Sequence, residues 1–217
     1  MNQALVVLLL KSLVLSGLYF VFRSTYTKPW IIWMLAAEAF GQKTDYGKWI
    51  GFGLVLSSFG DIFLELDDEK VADLFIPGLV SFLIGHLLYI KGLRESFMKG
   101  YQFPLGALAI YLLVVTSQIV PKAEAMLKIP IVVYALVICT MVFYAINRAY
   151  NNQHSQMSQR FAVAGALVFA VSDTILALDR FHNPIANAKT WVMITYYSGQ
   201  TLIAASTLNA AKAKKSA

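Results

Sequence analysis

Two octapeptides of the same pattern decide the fold: residues 60–67 read GDIFLELD and residues 172–179 read SDTILALD. Each contains a small residue, an aspartate, an apolar stretch and a second acid six positions after the first. Each closes an apolar segment of 18 residues, 49–66 in the first half and 161–178 in the second. An ionisable side chain within a segment of near-membrane length is costly and functional by default. The repeated motif therefore predicts two membrane helices, each with a functional aspartate.

The composition is that of a polytopic membrane protein. Of the 217 residues, 58% are hydrophobic and 14% are charged, and the mean hydropathy is +0.62. A soluble domain is roughly 45–50% apolar and about 25% charged. The net charge of +6 is spread over connectors, without a basic stripe interleaved with aromatic residues, so we expect no nucleic-acid partner. The single cysteine, Cys139, is expected to be a packing residue.

The apolar segments predict an all-α membrane protein with eight transmembrane helices in a single polytopic domain, residues 1–217. The predicted spans are about 4–22, 28–40, 49–66, 72–90, 103–120, 127–147, 161–178 and 190–210. The second span is shorter than the roughly 20 residues that a crossing needs. It is included because the proline of its Lys28-Pro29 start suits the first turn of a helix, and without it the count is seven.

The basic residues of the connectors favour cytoplasmic termini. With eight spans, ten Lys and Arg residues lie on the side that holds both termini and seven lie on the opposite side. The positive-inside rule therefore predicts a multi-pass protein with both termini in the cytoplasm, in the inner membrane if the source is bacterial. This orientation places the motif ends of the third and seventh spans towards the non-cytoplasmic leaflet.

The two halves of the chain, about 1–100 and 101–217, are predicted to be parallel repeats of four spans each. Besides the octapeptides, the correspondences are 85–88 (GHLL) with 199–202 (GQTL), and 28–29 (KP) with 128–130 (KIP). An even number of spans per half makes the halves point the same way, and binding sites tend to lie at the interface of such repeats. We therefore expect Asp61 and Asp173 to lie at one depth, about 7–8 Å inside the span ends.

Asp61 and Asp173 are the predicted catalytic residues. Two carboxylates held close together cannot both ionise, so they share a proton and supply an acid and a base at one place. The alternative is that each aspartate pairs with a buried base or caps a helix. Lys11 and Lys28 are the bases within reach of that depth.

Several further polar residues have open interpretations. His86 lies mid-span and is a packing element, a proton relay or a head-group contact. A metal site built from His86, Asp61 and Asp173 is a lesser alternative, because no spacing resembles a zinc site, and neither a metal nor a cofactor is predicted. Glu38 is expected to reach the interface or the polar cluster, and residues 65–69 are expected to belong to a solvated acidic loop.

The ordered set of motifs resembles the YhhN-like lysoplasmalogenase family of membrane proteins. The motifs are 28–29 (KP), 58–61 (SFGD), 85–89 (GHLLY), 165–173 (GALVFAVSD) and the tyrosine pair 196–197 before Gln200, which together span nearly the whole chain. The resemblance implies a hydrolase that cleaves the vinyl ether bond of lysoplasmalogens to a fatty aldehyde and glycerophospho-ethanolamine or -choline. It also implies that the two key acids of the family fall on Asp61 and Asp173.

The implied reaction agrees with the chemistry expected of the aspartates. A vinyl ether is hydrolysed by protonation of carbon, which forms an oxocarbenium ion that water attacks. Two carboxylates supply the acid, the stabilising negative charge and the base, as they do in glycoside cleavage. The predicted substrate-binding residues are Lys28, His86, Tyr89, Ser172, Tyr196, Tyr197 and Gln200. The predicted partners are a lysophospholipid substrate and the lipid bilayer, and the oligomeric state stays open.

Two other functions fit the same residues. A proton-coupled transporter of lipids or small amphiphiles also uses repeats with buried acids at their interface. A metal-dependent hydrolase acting on lipids within the membrane is the second. Aldehyde formation in detergent, where no vectorial transport occurs, separates the enzyme from the transporter, and insensitivity to chelators counts against the metal enzyme. A structural membrane protein would leave the paired acids unexplained.

Overall fold

The fold is a bundle of eight α-helices within residues 3–22, 27–94, 104–150, 154–208 and 210, the part of the chain that a computed structural model describes. The helices are α1 (Gln3–Phe22), α2 (Thr27–Gly41), α3 (Asp45–Asp68), α4 (Phe75–Arg94), α5 (Leu105–Ile119), α6 (Ala125–Ala149), α7 (Gln156–Phe181) and α8 (Ala188–Ala205). The all-α prediction is confirmed, and each predicted span overlaps one helix.

Five of these helices, α1, α3, α4, α6 and α7, are long and apolar enough to cross a membrane. Helices α2 and α5 have 15 residues each, and α8 has 18 residues with several polar positions. The protein is therefore a multi-pass integral membrane protein. Eight crossings, the orientation and the 4+4 repeat stay predictions.

The two helices that contain the repeated motif begin before their apolar segments because each has an N-cap. The side chain of Thr44 accepts a hydrogen bond from the backbone N–H of Gly47 at the start of α3, and Ser155 accepts one from Ser158 at the start of α7. Such caps satisfy backbone donors that have no partner within the helix. Helices α3 and α7 can therefore extend through polar residues to 24 and 26 residues.

The acidic residues at 65–69 were predicted to form a solvated loop, which is wrong for Glu65 and Asp67, while Asp68 and Glu69 are exposed. Most of them belong to α3, where Glu65 is 5% exposed. Asp67 accepts hydrogen bonds from the backbone N–H groups of Leu74 and Phe75 at the start of α4. The helical period explains the difference, because it places Glu65 one turn after Asp61 on the inward face of α3.

Two close helix crossings, α3 with α4 and α7 with α8, organise the bundle. A Cβ on Gly53 would lie 2.8 Å from the carbonyl oxygen of Gly85, and a Cβ on Gly85 would lie 3.0 Å from that of Gly53. The corresponding distances for Gly165 and Gly199 are 3.0 Å and 3.2 Å. Small residues let membrane helices approach this closely. Each motif aspartate follows the glycine of its helix by eight residues, about 12 Å along the axis.

A methyl group at one crossing is expected to destabilise the protein. Gly165→Ala would place its Cβ 2.8 Å from the backbone nitrogen of Ile203, and such overpacking costs about 1–3 kcal/mol. The matched control is Gly106→Ala in α5, where an added Cβ has no atom within 4 Å and alanine favours the helix. Melting temperatures in one detergent compare the two variants. Equal values would show that the crossing tolerates a side chain.

Candidate active site

The two motif aspartates line one cavity of about 280 Å³. Residues of α3 to α8, together with Lys28 of α2, form its wall, and most of the lining is apolar. The apolar part includes Leu64, Leu79, Phe82, Leu112, Val115, Ile131, Ile138, Val192 and Met193. A mainly apolar cavity with a few convergent polar groups is the usual form of a small-molecule site. Asp61 and Asp173 therefore line the same cavity, as expected for two residues of one site.

Asp61 is held by a tyrosine of α8. The hydroxyl of Tyr196 donates a hydrogen bond to Asp61 Oδ2 at 2.6 Å, and Asp61 is 5% exposed. The ring of Tyr196 packs edge-to-face against Phe82, with ring centroids 6.1 Å apart. Tyr196, a predicted substrate contact, therefore also orients one of the two carboxylates.

Asp173 is held by a tyrosine that the sequence did not single out. The hydroxyl of Tyr134 in α6 donates a hydrogen bond to Asp173 Oδ2 at 2.6 Å. The only sequence signal for Tyr134 is a hydroxyl within an otherwise apolar stretch of α6. A phenol satisfies a buried carboxylate oxygen without adding a charge. Each aspartate thus has the same kind of partner, but the two tyrosines come from different helices.

Lys28 lies near Asp61 and pairs with Glu65. The two side chains form a buried ion pair, and Lys189 Nζ donates a second hydrogen bond to Glu65 at 3.1 Å. Because Glu65 is one turn after Asp61 on α3, Lys28 reaches the same cavity as Asp61. Lys28 therefore contributes a cation close to Asp61 without pairing with it.

The alternative in which each aspartate pairs with its own base is not what the described residues show. Lys11 Nζ lies 3.0 Å from Glu38 Oε1, at the partly exposed boundary between α1 and α2. None of the ion pairs within the described ranges includes Asp61 or Asp173. Glu38 thus pairs away from the cavity, and both motif aspartates stay available to a ligand.

Charged side chains surround one end of the cavity, which we call the charged mouth. It consists of Lys28, Asp68, Asp179, Arg180 and Lys189. Arg180 Nη2 lies 2.9 Å from Asp67 Oδ2, and Arg180 Nη1 lies 3.9 Å from Asp68 Oδ1. Arg180 follows Asp173 by seven residues, about 10 Å along α7. The aspartates are therefore about two helical turns inside an apolar cavity whose outer end is charged.

Of the seven predicted substrate contacts, Lys28, Ser172 and Tyr196 line the cavity, and Ser172 donates a hydrogen bond to the carbonyl oxygen of Val192 at 3.1 Å. The other four, which do not line it, are His86, Tyr89, Tyr197 and Gln200. All four are buried in the adjoining core. They are placed to support the cavity wall.

Two of the four residues outside the cavity, Tyr89 and Gln200, connect α4 with α8. The hydroxyl of Tyr89 donates to Gln200 Oε1 at 2.7 Å, and His86 Nδ1 lies 2.6 Å from the carbonyl oxygen of Phe82. Tyr197 packs against Tyr196 with ring centroids 5.5 Å apart.

Within the described ranges, no group of three or more His, Cys, Asp or Glu side chains could hold a metal ion.

A comparison with protein families matches the YhhN family over residues 23–207. The chain belongs to the YhhN family. That match includes both motif aspartates, both glycine crossings and every residue of the charged mouth, so the site described above lies entirely within the family region. No solved structure matches this YhhN-family chain.

Several similar proteins are named lysoplasmalogenases. Lysoplasmalogenase TMEM86A of Bos taurus is 32% identical over 162 residues, which cover 71% of this chain and 62% of that protein. Lysoplasmalogenase TMEM86B of Homo sapiens is 30% identical over 165 residues, covering 75% and 65%. A lysoplasmalogenase homolog of Dictyostelium discoideum is 28% identical over 201 residues, covering 75% and 64%. The match therefore spans a little less than two thirds of the length of each of these relatives.

Proposed function

We propose that this YhhN-family protein hydrolyses the vinyl ether bond of lysoplasmalogens within the membrane. The products are a fatty aldehyde and the glycerophospho head group. The names of the relatives support the substrate class. The observation that carries the proposal is that Asp61 and Asp173 both line one mainly apolar cavity. Such a cavity suits a substrate with a single long chain and one reactive bond near its polar end.

The proposed reaction uses the two carboxyl groups in turn. One aspartic acid gives its proton to the vinyl carbon distal to the ether oxygen, which leaves an oxocarbenium ion beside two carboxylates. The second aspartate takes a proton from water as the water oxygen adds to the cation and forms a hemiacetal. That second residue then protonates the glycerol oxygen as the carbon–oxygen bond breaks, and the first carboxylate takes the hemiacetal hydroxyl proton. Both residues return to their starting forms.

We assign Asp173 as the acid that protonates carbon and Asp61 as the base. Lys28 reaches the cavity near Asp61 through its ion pair with Glu65, and a nearby cation favours an ionised carboxylate. Both aspartates accept a hydrogen bond from a neutral tyrosine hydroxyl, so the cation near Asp61 is what distinguishes them. The negative charge that remains on Asp61 would stabilise the oxocarbenium ion in surroundings of low polarity.

The charged mouth suits the head group of the proposed substrate. The ether oxygen and the phosphate of a lysoplasmalogen are separated only by the three-carbon glycerol backbone. With the vinyl ether at the aspartates, the phosphate would lie towards Lys28, Lys189 and Arg180, which bind phosphate oxygens by charge-assisted hydrogen bonds. The hydrocarbon chain would occupy the apolar part of the cavity or the adjoining lipid.

The tyrosine hydroxyls are expected to matter for turnover more than for substrate binding. Tyr134→Phe and Tyr196→Phe each remove a hydrogen bond to a carboxylate, worth about 1.5–3 kcal/mol, and should lower kcat about 10–100-fold with little change in KM. Tyr111→Phe is the matched control, because Tyr111 lines the same cavity and its hydroxyl contacts Thr174. A Tyr111 variant as slow as the other two would mean that the loss is not specific to the aspartates.

Product analysis in detergent tests the proposed function. Purified protein should release aldehyde from a lysoplasmalogen but not from the analogue with a saturated ether chain, because only the vinyl group can be protonated at carbon. Free fatty acid from an acyl lysophospholipid would indicate an esterase instead. The absence of any product from all three lipids would favour the transporter.

A further inference from the structure

The end of the bundle opposite the charged mouth contains a buried arginine. Arg148, at the carboxyl end of α6, is 1% exposed and is among the largest fully buried side chains of the described residues. It lies where α6 meets the first turn of α7, because Arg148 Nη2 donates a hydrogen bond to Ser158 Oγ at 3.0 Å. Ser158 precedes Asp173 on α7 by 15 residues, about 22 Å. Arg148 is therefore remote from the proposed catalytic site.

Few acceptors among the described residues reach the guanidinium of Arg148. It also lies over the face of the Tyr46 ring, with the guanidinium carbon 4.3 Å from the ring centroid. The Nε and Nη1 atoms are buried and have no hydrogen-bond partner within the described part of the chain. Arginine has five N–H donors, of which Nε carries one and Nη1 carries two. Three buried donors thus lack an acceptor among the residues that the structure describes.

Among the described residues, the charge of Arg148 also lacks a counter-ion. None of the ion pairs among the described residues includes it. Its neighbours Ser158 and Tyr46 are uncharged, and burial together with the Arg148 charge lowers the pKa of His154, which favours the neutral imidazole. An unpaired buried charge costs several kcal/mol, and arginine cannot relieve that cost by losing its proton. An anion at this position would compensate the charge and accept the three free N–H groups.

We propose that Arg148 is the centre of a second binding site, which takes an oxyanion of the phosphate class. The helix that begins beside it favours the same ligand, because α7 starts at Ser155 and the amino end of a helix attracts anions. Guanidinium groups match phosphate oxygens in geometry as well as charge. The ligand is either the phosphate of a lipid head group or free phosphate, and the site is separate from the proposed hydrolase cavity.

Thermal unfolding with inorganic phosphate tests the site directly. In phosphate-free buffer, added phosphate should raise the melting temperature of the wild type above that produced by sodium chloride at equal ionic strength. Arg148→Met should abolish this rise and should itself melt no lower than the wild type without phosphate, because it removes an uncompensated charge. Arg160→Met is the matched control. Arg160 is an exposed arginine two residues after Ser158 in α7, and its variant should keep the full phosphate-induced rise in melting temperature.

A lipid arm separates the two sources of phosphate. Nanodiscs of phosphatidylcholine, with and without phosphatidic acid, present the phosphate group on a lipid. If phosphatidic acid raises the melting temperature and free phosphate does not, the ligand is a lipid head group. If Arg148→Met does not fold, Arg148→Lys keeps the charge and should weaken phosphate binding about tenfold through loss of the planar donor set. A wild type that neither phosphate source stabilises, or an Arg148 variant stabilised as much as the wild type, would overturn the proposal.

Discussion

Asp61→Asn and Asp173→Asn are each expected to lower aldehyde release about 10²–10⁴-fold while the protein stays folded in the membrane. Asparagine has nearly the shape of aspartate and can still accept the hydrogen bond from Tyr196 or Tyr134. It cannot give or take the proton that the proposed reaction passes between carboxyl groups. The fall should appear in kcat, measured by coupling aldehyde release to an aldehyde dehydrogenase.

The control for both variants is Asp45→Asn, the same chemical change at an exposed position in the first turn of α3. It should retain wild-type turnover, since Asp45 lies outside the cavity. Melting temperatures of all three variants establish that folding is intact. Wild-type aldehyde release by both Asp61→Asn and Asp173→Asn would end the assignment of these residues as catalytic.

Breaking the buried ion pair beside Asp61 is expected to have the largest effect on stability. Glu65→Leu leaves Lys28 buried without its partner, and such losses cost about 3–5 kcal/mol. The double variant Lys28→Met/Glu65→Leu removes both charges and should regain most of that stability. Its KM should nevertheless rise, because the proposed phosphate contact of Lys28 is lost.

Lys189→Met is the matched control for the ion pair, because it removes the other cation bound to Glu65. The Lys189 side chain is 57% exposed, so this pair is expected to contribute about 0–1 kcal/mol. Unfolding titrations in mixed detergent micelles compare the four proteins. If the double variant is as unstable as Glu65→Leu alone, the loss of stability does not arise from the unpaired charge of Lys28.

The sequence was sufficient to predict the eight helices and to single out the two aspartates that line the cavity, because long apolar segments interrupted by single acids are rare, whereas their catalytic role stays a prediction. It was not sufficient to predict which residues face inward. In a membrane protein, lipid-facing and core-facing positions are both apolar, so the hydrophobic period does not orient a helix. Leu113 and Ile129 are 67% and 75% exposed on the outer surface of the bundle. Tyr134 lies in an equally apolar stretch of sequence, but its hydroxyl reaches Asp173 inside the bundle.

The contacts of the site depend on how helices cross, which no local pattern specifies. The pairing of Lys28 with Glu65 requires the start of α2 to approach the end of α3, 37 residues apart in sequence. The glycines at the two crossings follow the predicted correspondence of Gly85 with Gly199, but the partner tyrosines of the aspartates come from α8 and α6. The 4+4 repeat thus stays a prediction.

Hydrolysis in D₂O is the most direct test of carbon protonation by the aspartate pair. The proposed reaction transfers one solvent-derived proton to the vinyl carbon, so mass spectrometry of the aldehyde, trapped at once as a stable derivative, should find one deuterium on the carbon next to the carbonyl. Aldehyde without carbon-bound deuterium would mean that the ether bond breaks by another route, and the acid–base roles of Asp61 and Asp173 would be contradicted.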